Sequence, residues 1–177
     1  MKLKEKWLLA YSDMSRHKIP GNKFISFLKK MSVPGCKYMI LWRFADGGRF
    51  WKIIMRHYSI KYGYQIPIGT RIGKGFYIGH LGAIVINHDV SIGEHCNIAQ
   101  NVTIGMENRG KRKGTPKIGN RVWIGTGSVI VGKITIGDDV LIAPNAYVNC
   151  DVPSHSVVLG NPCIIRHKEN ATENYIN

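Results

Sequence analysis

From residue 66 onward, aliphatic residues recur every six positions: Ile66, Ile72, Ile78, Ile84, Val90, Cys96 and Val102, then after a gap Ile118, Ile124, Ile130, Ile136, Ile142 and Val148. A second row stands four residues behind the first in the later units, at Val122, Ser128, Ile134, Val140, Ala146 and Val152. Each unit reads aliphatic, Gly or small, two polar residues, small or β-branched, variable, as in Ile136-Gly-Asp-Asp-Val-Leu. A period of six is neither that of a helix nor that of a plain strand. Six residues suit one short strand and a corner, and three such units close a triangular coil of about 18 residues, stacked as parallel strands about 4.8 Å apart. The pattern therefore predicts a mostly β chain, a parallel β-helix with room for roughly four to five coils.

Before residue 65 the sixfold pattern is absent. Leu3–Met14, Asn22–Met31, Lys37–Ala45 and Arg49–Tyr62 read as helices, separated by Ile19-Pro-Gly, Val33-Pro-Gly and Asp46-Gly-Gly. The expected organisation is a helical subdomain over 1–64 capping the first coil, a β-helix over 65–160 with a loop insert at 106–117, and a tail over 161–177.

Composition excludes a disordered or collagen-like chain: 44% of residues are hydrophobic, with 7 prolines against 20 glycines. The net charge of +14 is unevenly spread, with 14 Lys and Arg against 3 Asp and Glu in residues 1–64, and 11 against 8 in the rest. Twelve of the 17 aromatic residues also precede residue 65. A basic, aromatic segment suits a membrane interface or an anionic partner, or else packs its rings on the prism with lysines outside. No nucleic-acid recognition motif is present, so nucleic acid is not an expected partner. The longest apolar stretch, Tyr38–Trp42, is far short of the roughly 20 residues of a membrane span, and Met1-Lys-Leu-Lys-Glu-Lys is no signal peptide. Four scattered cysteines with no CxxC read as reduced thiols, so a cytoplasmic location is expected.

The repeat breaks twice. Counting back in sixes from Ile104 through Ile98, Ile92 and Ile86 gives His80 and Lys74 before the row resumes at Ile68. Either the phase slips there, leaving His80 at an exposed corner, or a polar side chain interrupts the inner row. The second break is the insert from Met106 to Lys117, with five positive residues and one negative one. It reads as a solvated loop, or as a mobile arm near His80 that covers an acceptor or meets anionic groups. His88 and His95 raise the question of zinc, which needs three imidazoles converging across a subunit interface. None of these histidines is separated from another by the 18 residues that would stack them, and no metal is expected.

Tandem units ending in Gly160-Asn-Pro-Cys-Ile-Ile-Arg166 resemble the hexapeptide-repeat acyltransferases, which implies a left-handed β-helix assembled as a homotrimer. The segment Gly75-Phe-Tyr-Ile-Gly-His-Leu-Gly-Ala-Ile-Val-Ile, with Val102-Thr-Ile-Gly and Pro116-Lys-Ile-Gly, resembles the serine acetyltransferase branch and its relatives that acetylate sugar hydroxyls. That resemblance implies acetyl-CoA as donor and His80 as general base, whose neutral imidazole takes the hydroxyl proton as oxygen attacks the thioester. It sets the N–H groups of Gly105 and Met106 at the oxyanion. Gly125, Thr126, Ala143 and Pro144 would line a pantetheine groove between two subunits, with Lys133, Arg166 and Lys168 toward phosphates. Gln65, Arg109 and Thr115 are the acceptor-binding candidates.

Serine acetyltransferases carry an aspartate where this chain has Gln65, and a second histidine where it has Thr115. Losing a carboxylate and an imidazole from an amino-acid pocket argues against serine. The chain then resembles the capsule, O-antigen and colanic-acid O-acetyltransferases, and the expected acceptor is a sugar of a surface polysaccharide, reached at the inner membrane face by the basic helices. Serine O-acetylation for cysteine biosynthesis and a non-catalytic hexapeptide scaffold are the alternatives. No covalent acetyl-enzyme is expected, because Cys96 falls on an inward row and Cys150 and Cys163 have no histidine nearby in sequence.

Overall fold

The computed structural model describes residues 2–45 and 48–176. The expected break at Asp46-Gly-Gly falls mostly on residues 46 and 47, outside the described residues. Four helices come first: α1 (Leu3–Ser15), α2 (Lys23–Ser32), α3 (Pro34–Phe44) and α4 (Arg49–Tyr62). Asn22 caps α2 by accepting from the Ile25 N–H at 2.9 Å. α3 begins at Pro34, ahead of the expected Lys37, since proline's missing N–H costs nothing in a first turn. Gly63, at φ 76°, ends α4 in the left-handed conformation.

Fifteen short strands follow, and all but the last lie on the three faces of a parallel solenoid. The first face stacks β1 (Tyr64–Gln65), β4 (Ile84–Ile86), β7 (Val102–Gly105), β10 (Val129–Val131) and β13 (Tyr147–Val148). The second stacks β2 (Arg71–Ile72), β5 (Ser91–Ile92), β8 (Lys117–Ile118) and β11 (Thr135–Ile136). The third stacks β3 (Tyr77–Ile78), β6 (Asn97–Ile98), β9 (Trp123–Ile124), β12 (Val140–Ile142) and β14 (Ser156–Leu159), closed by the antiparallel β15 (Ile164–His167).

The register measures each coil. Ile84 pairs with Val102, Trp123 with Leu141 and Val129 with Tyr147, each 18 residues apart. Tyr64 pairs with Ile84 and Tyr77 with Asn97, coils of 20. Thr103 pairs with Val129 and Asn97 with Trp123, coils of 26. The repeat is thus lengthened by two residues around His80 and by eight in the insert. Inside, the aliphatic rows form one continuous core, with Ile84, Val102, Ile104, Ile124, Ile130, Ile142 and Val148 fully buried. Coil stacking explains a column of glycines: a Cβ on Gly119 would sit 2.8 Å from the Gly137 carbonyl carbon, and one on Gly93 2.6 Å from that of Gly119.

The helices are fastened to the first coil by buried charge. Arg43 donates to both Asp13 carboxylate oxygens at 2.7 and 3.2 Å and to the Ile72 and Gly73 carbonyls at 2.6 and 2.5 Å. Asp13 also accepts from the Phe76 N–H at 2.8 Å. Arg16 donates to the Gly75 carbonyl at 2.7 Å and to Asn97 Oδ1 at 2.6 Å, and His17 lies 4.5 Å from the Tyr77 ring.

Candidate active site

His80 follows β3 at the edge where the third face turns into the first. The two added residues bulge the corner outward, so the phase slips and His80 is exposed while Ile78 and Ile84 keep the inner row. Its carbonyl accepts from the Tyr64 hydroxyl at 3.0 Å. Tyr64 is fully buried, 5.1 Å from the Tyr38 ring and 5.8 Å from that of Tyr62, and burial pushes its hydroxyl up to about 12, so it remains a donor. Tyr38 of α3 in turn donates to the Tyr64 carbonyl at 3.3 Å. The helical platform thereby holds the backbone on which His80 stands.

Beside His80 is a cavity of about 150 Å³ lined by Tyr77, Asn97, Gln100, Trp123 and Thr126 together with Gly79 and Ala99. Among the described residues Gln100 Oε1 is buried there without a hydrogen-bond partner, an acceptor open to a ligand's N–H. The platform reaches this wall through Arg16 on Asn97 and His17 on Tyr77. The tail reaches it as well: Asn97 Nδ2 donates to the Tyr175 carbonyl at 3.0 Å, and the Tyr175 ring lies 5.0 Å from Trp123. Asp139 anchors that tail, accepting from the Ala171 N–H, the Thr172 N–H and the Thr172 hydroxyl at 2.9, 3.0 and 2.6 Å. Sequence reasoning missed Asn97, Gln100 and Trp123; the only signal was that Asn97 and Gln100 are polar residues flanking an inward isoleucine.

The candidates separate onto two prism edges. Backbone bonds from Gly79 to Ile98, Ala99 to Ile124, Gly125 to Ile142 and Ala143 to Val158 stack one corner on the next. His80, Thr126, Ala143 and Pro144 therefore share the third-to-first edge. Gly125 is there too, but buried: a Cβ on it would lie 2.6 Å from the Pro144 nitrogen, so coil stacking itself demands this glycine. Gly105, Met106, the insert and Lys133 sit at the opposite end of the first face, where it turns into the second. Gly105 pairs with Val131, and a Cβ there would meet Val131 at an ordinary 3.5 Å, so packing does not require glycine at that position.

The insert is no loose arm, and in one chain it is not near His80. Glu107 and Gly114 exchange N–H to carbonyl bonds of 3.0 and 2.9 Å, Arg112 pairs with Glu107 at 3.1 Å, and the Lys133 N–H donates to the Arg112 carbonyl at 2.8 Å. Thr115 donates to the Asp89 carbonyl at 3.1 Å, and Arg109 is exposed in the turn. Gln65 is exposed on the outside of the first face, in register with Val85, and among the described residues no side chain hydrogen-bonds the His80 imidazole. Arg166 and Lys168 lie exposed at the far end of the third face, Arg166 opposite Val157. His88 pairs with Asp89 at 3.1 Å, and among the described residues no three His, Cys, Asp or Glu side chains converge as a metal set.

Comparison with known proteins adds the following. Residues 115–150 match the family described as bacterial transferase hexapeptide (six repeats). The chain is 39% identical over 99 residues to a serine acetyltransferase of Helicobacter pylori (strain ATCC 700392 / 26695), covering 56% of this chain and 58% of that protein. It is 37% identical over 100 residues to a serine acetyltransferase of Synechococcus elongatus, covering 56% of this chain and 41% of that one. The chain thus spans little more than half the length of the first of these relatives, and less of the second. Among solved structures, serine acetyltransferase from Brucella abortus strain S19 superposes with a TM-score of 0.81 at 24% identity, over 96% of this chain and 72% of that one. That from Entamoeba histolytica gives 0.75 at 27% identity, over 90% and 64%.

These relatives correct the expected acceptor. They are serine acetyltransferases, not polysaccharide O-acetyltransferases. Within one chain Gln65 and Thr115 do not form a single emptied amino-acid pocket. In the chain they lie on separate elements, Thr115 is tied to the Asp89 carbonyl, and neither lines the cavity at His80. In its repeat and its solenoid the chain resembles the hexapeptide-repeat transferases, and over about half its length it is similar to serine acetyltransferases.

Proposed function

We propose that this chain is a serine O-acetyltransferase, moving acetyl from acetyl-CoA to the hydroxyl of serine. The observation that carries the reading is His80, an exposed imidazole lifted out of an aliphatic row by two added residues, at a cavity in a chain akin to serine acetyltransferases. A neutral imidazole accepts the serine hydroxyl proton as that oxygen bonds to the thioester carbonyl carbon. Collapse of the tetrahedral intermediate breaks the carbon–sulfur bond, and the imidazolium returns the proton to the departing thiolate. Thr126, Ala143 and Pro144, with the Gly125 backbone, offer a corner column along which pantetheine extends, and the partnerless Gln100 oxygen suits one of its amide N–H groups. Arg166 and Lys168 face solvent as partners for coenzyme A phosphates.

The N–H groups of Gly105 and Met106, the insert and Lys133 stand on the other edge. We therefore read the working unit as a homotrimer, in which a closed ring of copies sets that edge of each against the His80 edge of the next. Arg109 and Thr115 would then face the acceptor across the interface, with Gln65 on the first face between the two edges. The reaction is placed in the cytoplasm, beside acetyl-CoA. The exposed Trp7, Tyr11, Phe24 and Phe50 among the lysines support a peripheral membrane contact, which sedimentation with anionic against neutral liposomes tests.

The deciding experiment follows CoA release from acetyl-CoA with L-serine, alongside calorimetry with CoA. Serine-dependent release abolished by His80→Ala is expected. CoA binding without serine-dependent release rejects the acceptor, and no CoA binding at all supports the scaffold alternative.

A further inference from the structure

Outside this site, the geometry points to a reversible disulfide between Cys150 and Cys163 at the C-terminal base of the prism. Their Sγ atoms are 3.6 Å apart although 13 residues separate them in sequence. A disulfide holds its sulfurs at about 2.05 Å, so closure asks for an approach of about 1.5 Å, within the reach of side-chain rotation. Cys150 is exposed at the corner after β13, and Cys163 is half-buried in the turn leading into β15. The other two cysteines differ in kind. Cys36 and Cys96 are buried, burial pushes both thiols up to about 12, and Cys96 donates to the Gly119 carbonyl at 3.2 Å.

The bond would enclose Asp151 to Pro162 and hence all of β14, the last strand stacked on the solenoid. β14 is held on one side by β12 and on the other only by β15, through an antiparallel pairing from Ser156 to His167. Tying Cys150 to Cys163 fastens the turn between β14 and β15 to the coil above it. The oxidant is a peroxide. The Cys150 thiolate attacks one peroxide oxygen, giving a sulfenic acid and hydroxide; the Cys163 thiolate then attacks the sulfenic sulfur and expels a second hydroxide, and the two hydroxides take up the two protons the thiols released. Two thiols and one hydrogen peroxide thus become one disulfide and two waters, and a dithiol reductant reverses the bond.

The test treats the full chain with hydrogen peroxide at mildly alkaline pH, since burial and the Cys163 thiol hold the Cys150 thiol above its ordinary range. Alkylation, intact mass and peptide mapping follow. The expected product has lost two hydrogens and two alkylatable thiols, maps to a Cys150–Cys163 peptide, and is restored by dithiothreitol. Cys150→Ser and Cys163→Ser should each abolish it. Trypsin cleavage after Arg166 and Lys168 should slow several-fold in the oxidised chain and not in either variant. Both cysteines alkylated after peroxide, a bond found only between chains, or either sulfur carried on to sulfinic acid would overturn the assignment. An intramolecular bond with unchanged cleavage would overturn the fastening of the turn.

Discussion

Along the prism, the buried interior is stacked isoleucine and valine, with Ser128 an exception that satisfies itself by donating to the Gly125 carbonyl at 2.8 Å. Between the helical platform and the first coil, the buried layer joins Tyr38, Met39 and Trp42 to a group of charged and polar side chains, Asp13, Arg16, His17 and Arg43. The prism gains its stability from many equivalent contacts between neighbouring coils, so no single edge residue governs it. The platform depends on a few charged groups in a dry seam, where each partner is needed to offset the desolvation of the other. Chemistry placed at a prism corner is therefore separable from the fold, and the seam is not.

Replacing His80 breaks the comparison most sharply if it is wrong. His80→Ala should lower kcat by about 10²–10⁴-fold, the usual contribution of a positioned base. Because the side chain is exposed and, among the described residues, bonded to no other, the urea midpoint should not move. A loss of stability comparable to the loss of rate would mean that the corner, like the seam, is structural.

Arg43→Met attacks the seam. It strands the Asp13 carboxylate, already held above its usual range by burial, and should cost about 3–5 kcal/mol. The platform should then melt before the prism, giving two urea transitions followed by tryptophan fluorescence and far-UV dichroism. Adding Asp13→Leu to Arg43→Met should recover part of the loss, since the uncompensated charge leaves with its partner.

Acid sharpens the same contrast. Burial, reinforced by Lys30 and Arg16, lowers the His17 pKa from 6.5 to about 4, so the folded chain holds this imidazole neutral. Between those values the unfolded chain binds the extra proton. Its contribution is fully present above pH 6.5 and is lost as pH falls through about 4, up to ~3 kcal/mol in all. Thermal melts over that range should show the platform loosening, and His17→Phe should flatten that slope. An equal slope in the variant would assign the acid sensitivity elsewhere.

The sixfold rows were legible because every coil repeats the same burial, so periodicity reports three-dimensional position directly. The insert and the irregularity at His80 were legible as interruptions of that repeat, and the coil lengths of 20 and 26 resolve which kind each is. The seam was not legible. Asp13 and Arg43 are 30 residues apart, and on helices rich in lysine they resemble solvated charge. The cavity wall escaped for the same reason: Asn97 joins Arg16 and Tyr175, partners 81 and 78 residues away that no local spacing connects. Gln65 and Thr115 misled because a motif gives residue types in chain order, whereas the prism sets them on different elements.

Tyr64→Phe gives the smallest effect and tests a place where the two regions meet beside His80. The ring stays buried among Tyr38 and Tyr62, so packing is preserved. Only the hydroxyl that donates to the His80 carbonyl at 3.0 Å is lost, about 0.5–1.5 kcal/mol by the usual worth of such a bond. If that bond aims the corner, the loss appears as a reduction in kcat of up to about ten-fold, with the KM for acetyl-CoA unchanged, because the proposed donor column lies on later coils. If instead the bond only adds to stability, the urea midpoint falls and kcat stays at its original value. The platform would then be a cap on the solenoid with no part in positioning His80.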